Sequence, residues 1–262
     1  MAKEFSRTEL VIGAEGLKAL AASTVAVIGL GGVGSYAAES LARSGVGGFV
    51  LVDNASISAS NINRQVIATQ STVGRPKVEV MRDRILDINP AARIEALQDT
   101  FGADAGDRLV RAGVSYIVDA IDTLSAKLEL ALLARARGIP IVSAMGAGNK
   151  LDPTRVEVAD IYRTSVCPLA RVMRRELKRL GVERLTVVYS RERPIAAAGT
   201  GGTAREGCRH DGICPKQEAD CPCEGFRAVP GSVSFVPPAF GLAAASVVVR
   251  AIVDRAPHAE SA

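Results

Sequence analysis

The chain is constrained most tightly by residues 24–34. A β-branched apolar run, Thr24-Val25-Ala26-Val27-Ile28, stops at glycine and opens into Gly29-Leu30-Gly31-Gly32-Val33-Gly34. Such a run suits a strand buried on both faces of a parallel sheet. Ser35 to Ser44 follows with helical character, so the glycines fall at a strand-to-helix turn. There they allow a tight bend and close backbone approach, and the helix N-terminus offers free N–H groups to phosphate. A second strand, Phe49-Val50-Leu51-Val52, ends on Asp53, where a carboxylate can accept from ribose hydroxyls. Nucleotide binding is the expectation, and a glycine turn used only for packing is the alternative.

The rhythm continues beyond this unit. Val78, Met81, Ile85 and Ile88 give Lys77 to Ile88 an amphipathic helical spacing. Asn89-Pro90 ends it, and Arg93 to Leu97 alternates as a strand. Tyr116 to Ala120 reads as a buried strand, Ala126 to Arg137 as a helix and Pro140 to Ala144 as the next strand. Alternation of this kind predicts an α/β fold, a Rossmann-like, doubly wound, mostly parallel sheet with a C-terminal extension. The core is expected over residues 1–153, with 154–262 as an extension of the same domain. That extension holds a basic helix over 168–180, a Cys-rich loop over 191–231 and a completion of sheet and helix over 232–254.

Composition narrows the class. The 262 residues are 48% hydrophobic and 23% charged, with a net charge of +4. Such a chain can bury a core without disulfides, and its mild basicity excludes neither an anionic ligand nor tRNA. The N-terminus carries charges of both signs and no apolar segment behind them. The longest weakly polar run, Phe240 to Val249 with Ile252 and Val253 beyond Arg250, falls short of the roughly 20 residues a bilayer needs. A cytoplasmic protein without a membrane span is expected.

Polar residues after Asp53 discriminate between nucleotides. Asn61-Ile62-Asn63-Arg64-Gln65, and then Lys77 at a helix start, gather amide, guanidinium and ammonium groups just past the ribose acid. A nicotinamide dehydrogenase has no use for them, whereas a triphosphate needs cations as charge builds on departing pyrophosphate. Asp122, beyond another parallel strand, falls on the carboxyl edge where ligands bind and can hold Mg²⁺. Solvated surface charge is the alternative for Arg64 and Lys77, and a helix cap for Asp122.

These strings, with Leu51-Val52-Asp53, Ser60-Asn61 and Asp119-Ala120-Ile121-Asp122, resemble the ubiquitin-activating-enzyme-like (ThiF/MoeB/HesA) superfamily. Its bacterial members adenylate carboxylates in thiamine and molybdopterin biosynthesis. Within it, Val33 to Glu39, Gly146 to Thr154, Pro168-Leu169, Gly231 to Val236 and Ala239-Phe240-Gly241 are similar to the tRNA threonylcarbamoyladenosine dehydratases. The likeness implies ATP-dependent activation of the threonyl carboxylate beside the tRNA anticodon, then ring closure with loss of water. It implies that Gly29, Gly31, Gly32, Gly34, Asp53, Asn61, Arg64, Gln65, Lys77 and Asp122 bind ATP. Arg7, Arg64, Lys77 and Asp122 are implied to be catalytic, with Asp122 holding Mg²⁺ and Arg7 entering a neighbour's site in a homodimer. The resemblance also admits a monovalent cation and a cysteine desulfurase or sulfur-carrier partner. The competing substrate is the C-terminus of a ubiquitin-like sulfur carrier; a dehydrogenase and a non-catalytic adaptor stand further off.

Two features lie outside that set. Cys208, Cys214, Cys221 and Cys223, with His210 nearby, lack the CxxC spacing of zinc ribbons. A metal clip, a redox-labile loop and a merely tolerated one remain open, and Cys223 sits where relatives place a sulfur-accepting cysteine. Arg171, Arg174, Arg175, Lys178 and Arg179 form a basic helix face opposite Leu169, Val172, Met173, Leu177 and Leu180. A solvated face and a contact with anticodon-stem phosphates are its two readings. On the second, Arg174 and Arg175 contribute to tRNA affinity.

Overall fold

The structure is a computed structural model that describes residues 3–101, 105–195 and 230–255. The strand at the glycine turn, β1 (Thr24–Ile28), pairs in parallel with β2 (Gly48–Val52) on one side. On its other side it pairs in parallel with β4 (Val114–Asp119). Outward from β2 lies β3 (Arg93–Leu97), and outward from β4 lies β5 (Ile141–Ala144). The full order is β3-β2-β1-β4-β5-β7-β6, with β6 (Val156–Asp160) antiparallel to β7 (Thr186–Ser190) at the far edge. Chain order reverses between β1 and β4, so a crevice opens there at the carboxyl ends of the strands.

Alternation along β1 sorts the two layers. Val25 and Val27 join the core beneath α1 (Ser6–Ala22), α2 (Gly34–Arg43), α3 (Lys77–Ile88) and α7 (Val236–Val253). Ala26 and Ile28 face α4 (Ala105–Arg111) and α5 (Leu124–Arg137). A third cluster joins α5 to α6 (Pro168–Arg179) through Ala131, Met173 and Leu177. The expected parallel Rossmann-like sheet is present, and α3 begins and ends where its apolar spacing does.

Three elements go beyond the sequence reading. The first is α1, whose periodicity is interrupted at Gly13, where φ is +74°. The second is α4, a short helix. The third is β7, which inserts between β5 and β6. The apolar run near residue 240 also starts earlier than hydropathy indicated. As α7 it is 18 residues long, enough by length and composition to cross a membrane, but 56% of that window is buried. A Cβ on Gly241 would lie 2.4 Å from the Val33 carbonyl oxygen, so α7 lies directly on the start of α2.

Candidate nucleotide and activation site

The turn after β1 is built by backbone constraints. Gly29 has φ +91°, and a Cβ there would stand 2.7 Å from the Ala120 carbonyl oxygen; one on Gly34 would stand 1.8 Å from that of Gly29. Both positions therefore demand glycine. Gly31 is different, since a Cβ on it meets nothing within 4 Å. Among the described residues nothing fills the space a side chain would take there, so the backbone is open at this point.

Asp53, at the end of β2, is oriented from three sides. Its Oδ2 accepts from the Leu30 N–H at 2.7 Å, and its Oδ1 from the Ala55 N–H at 2.9 Å. Lys77 Nζ stands 3.6 Å from Oδ2, with both side chains about nine-tenths buried. Lys77 is the first residue of α3, where an ammonium opposes the helix dipole; the Asp53 carboxylate offsets that cost. The pair places a carboxylate and an ammonium at the rim of the glycine turn.

Residues 58–65 fold over this rim. The Asn61 side chain closes a short 3-10 turn by accepting from the Ser58 N–H at 3.1 Å. Arg64 donates to the Ser60 carbonyl and to Asn63 Oδ1, both at 2.9 Å. A Cβ on Gly32 would lie 3.2 Å from the Arg64 carbonyl and 3.0 Å from Pro237 Cβ, so this segment and α7 wall the turn. Gln65 is 5% exposed, and its Oε1 has no hydrogen-bond partner among the described residues. An acceptor so buried costs stability unless a donor reaches it.

Asp122 lies exposed in the turn between β4 and α5, where Thr123 Oγ1 donates to it at 3.4 Å. The turn borders the glycines through Ala120, whose Cβ would sit 3.1 Å from a Cβ on Gly34. Glycines 29, 31, 32 and 34, Asp53, Lys77, the 61–65 segment and Asp122 thus meet around one crevice. Arg7 stands apart: it is exposed in the first turn of α1 and, among the described residues, bonds to none of them.

The structure corrects one member of the basic helix. Arg174 is half-buried, and its Nη1 donates to the Thr164 carbonyl at 2.9 Å and to Thr164 Oγ1 at 2.6 Å. It stitches α6 to the turn at Ile161–Arg163 and presents less of its guanidinium to solvent than its neighbours. Arg171, Arg175, Lys178 and Arg179 are exposed. Cys208, Cys214, Cys221, Cys223 and His210 lie outside the described residues, while Cys167 is a buried free thiol.

Sequence reasoning missed a buried cluster under the Asp122 turn, in which Lys127 and Ser143 meet Asp119. Asp119 was visible as a motif residue, but Lys127 looks like any polar position of an amphipathic helix. It also missed Asn149, which accepts the Gly231 N–H at Oδ1 and the Ile195 N–H at its carbonyl.

A glycine turn at a topological switch point, faced by an oriented carboxylate and cations, defines a Rossmann-like nucleotide-binding protein. The chain belongs to the ThiF family, whose model matches residues 5–261. It is 42% identical over 196 residues to the tRNA threonylcarbamoyladenosine dehydratase of Bacillus subtilis (strain 168), covering 74% of this chain and 77% of that one. To the enzyme of that name from Escherichia coli (strain K12) it is 34% identical over 215 residues, 78% of this chain and 76% of that one. The crystal structure of the E. coli enzyme in complex with ATP superimposes with a TM-score of 0.81 at 30% identity, covering 97% and 95% of the two chains.

Proposed function

We propose that this protein is an ATP-dependent tRNA threonylcarbamoyladenosine dehydratase. The observation that carries the reading is the crevice itself: an open Gly31 backbone beside the Asp53–Lys77 pair, in a chain that matches an ATP-bound dehydratase over nearly its whole length. Adenylyltransferases of molybdopterin synthase and of a sulfur carrier also match, at 38% and 36% identity, but over only 38% of this chain. The dehydratase reading is therefore preferred to the carrier-protein one.

A carboxylate is a poor electrophile because its charge repels nucleophiles and oxide leaves poorly. In the proposed reaction the threonyl carboxylate oxygen attacks the α-phosphorus and pyrophosphate departs, giving an acyl adenylate. A nucleophile of the same modified base then attacks the acyl carbon, loses its proton and expels AMP. Because this closure is intramolecular, the adenylate needs no covalent handover to the protein, and proximity lowers the barrier by several kcal/mol.

Asp53 accepts from the ribose, the turn's N–H groups and Lys77 face the phosphates, and Gln65 Oε1 takes a donor from the nucleotide. Asn61 holds its 3-10 turn and Arg64 supplies a cation at the rim. Asp122, exposed at the mouth of its turn and accepting a 3.4 Å hydrogen bond from Thr123, holds Mg²⁺, which when bound withdraws charge from the phosphates. The exposed cations of α6 line the stem of the anticodon arm. Arg7, Leu10 and Val11 share one face of α1 by their spacing, with Leu10 86% and Val11 84% exposed. A second copy of the chain covers that face in a homodimer and brings Arg7 to its neighbour's site.

Protein incubated with ATP, Mg²⁺ and threonylcarbamoyl-tRNA is expected to yield a nucleoside lighter by one water on mass spectrometry of the digest. An unchanged nucleoside, with a carrier-protein C-terminus adenylated instead, overturns the reading. Arg175→Glu with Lys178→Glu should weaken tRNA binding about tenfold or more and flatten its salt dependence, while ATP affinity stays unchanged.

A further inference from the structure

Three polar side chains are fully enclosed at the end of β4. Asp119 and Lys127 are 0% exposed and Ser143 is 1% exposed. Lys127 Nζ donates to Asp119 Oδ2 at 2.9 Å, Ser143 Oγ donates to the same oxygen, and the Ile121 N–H donates to Oδ1 at 3.1 Å. One carboxylate thus joins three elements: β4, the first turn of α5, and β5, where Ser143 is the register partner of Asp119.

Packing alone does not explain the cluster. Desolvating two charges offsets most of their attraction, and apolar groups of the same volume commonly serve stability as well or better. What a carboxylate adds is direction. Its Oδ1 fixes the Ile121 amide, at the head of the turn that carries Asp122. That turn also forms the floor of the glycine loop. The Ala120 N–H donates to the Ile28 carbonyl at 2.9 Å, and the Ala120 carbonyl closes on Gly29.

We propose that Asp119, Lys127 and Ser143 are positioning residues for ATP activation. Their buried cluster holds the turn at residues 120–123 in one geometry, so Asp122 and the loop floor stay in place as a highly charged ligand arrives. None of the three touches the ligand, and no proton moves through them. The proposal rests on the assignment of Asp122 made above.

The double variant Asp119→Asn/Lys127→Met removes both charges without leaving either buried alone, and Ser143→Ala removes one donor. The readouts are the urea midpoint, the calorimetric Kd for ATP with and without Mg²⁺, amide exchange over 120–123, and tRNA Kd. The double variant should remain folded, lose at least tenfold of the Mg²⁺-dependent gain in ATP affinity, and exchange the Ile121 and Asp122 amides at least tenfold faster, with tRNA Kd unchanged. Ser143→Ala should lose about threefold of the gain, and Ser143→Thr should restore it.

A folded double variant with the parent's Mg²⁺ gain and turn protection overturns the proposal. If the double variant fails to fold, an unaltered Ser143→Ala does so. Asp122→Ala separates the two assignments: if it keeps the Mg²⁺ gain, the Asp122 role is wrong and turn protection alone decides the cluster.

Discussion

Adjacent strands β4 and β5 each lead to a buried lysine, and the two surroundings differ. Lys127 meets a carboxylate that also satisfies a hydroxyl and an amide. Lys150, just past β5, is 4% exposed and makes one hydrogen bond among the described residues, to the Gly148 carbonyl at 3.2 Å. Burial pushes its pKa down, against the opposing influence of Cys167 and Glu192. Glu192 is otherwise occupied, accepting from the Leu151 and Asp152 N–H groups at 2.9 Å. A buried amine is an ordering device when a carboxylate encloses it, and a cost to stability when only a carbonyl does.

The contrast can be broken most forcefully at Lys127. Lys127→Met alone strands the Asp119 charge and should cost about 3–5 kcal/mol in urea unfolding; a loss below about 1 kcal/mol would erase the distinction. Glu39, 8% exposed between α2 and α3, is an intermediate case. Its desolvation is outweighed by Arg84 and Arg43, which hold the carboxyl below its ordinary value. Glu39→Gln should cost about 1–2 kcal/mol at pH 7. A depressed carboxyl stabilises the fold above the unfolded pKa of about 4.3, and that contribution is lost as pH falls through the folded value. Stability curves of variant and parent should therefore converge in acid.

Lys150 is expected to behave in the opposite sense. Lys150→Met should raise stability by about 1 kcal/mol at pH 7. A lowered lysine pKa penalises folding while the unfolded side chain is charged, so the gain should fade as pH rises past about 10.4. An advantage that grew with pH would contradict the burial account. The smallest effect lies nearby at Val166, whose φ of +66° is strained for a β-branched residue. Val166→Gly should stabilise by up to about 1 kcal/mol in thermal unfolding, provided the Cys167 N–H keeps its 2.7 Å bond to the Ser165 carbonyl.

Legibility in the sequence followed the range of the interactions. The β1 turn, Asp53 and the span of α3 were readable because strand, glycines and apolar spacing are local signals. The same holds for the strand that ends on Asp119. The cluster beneath it was not readable, because Asp119 and Ser143 become partners only when β4 and β5 pair in register. Arg174 misled for a related reason: helical spacing groups it with four exposed cations, while its carbonyl partners come from another segment. β7 was not assigned from sequence, although the β-branched run Thr186-Val187-Val188 carries a local strand signal; its place between β5 and β6 depends on pairing that the run does not encode.

That insertion sets an order of assembly. The edge of β5 cannot be covered until Thr186–Ser190 exists, because β6, though made earlier, reaches the sheet only through β7. A chain halted before β7 presents β5 as an open apolar edge, ready to pair with another chain. That exposed edge lies in the half of the sheet away from the glycine turn.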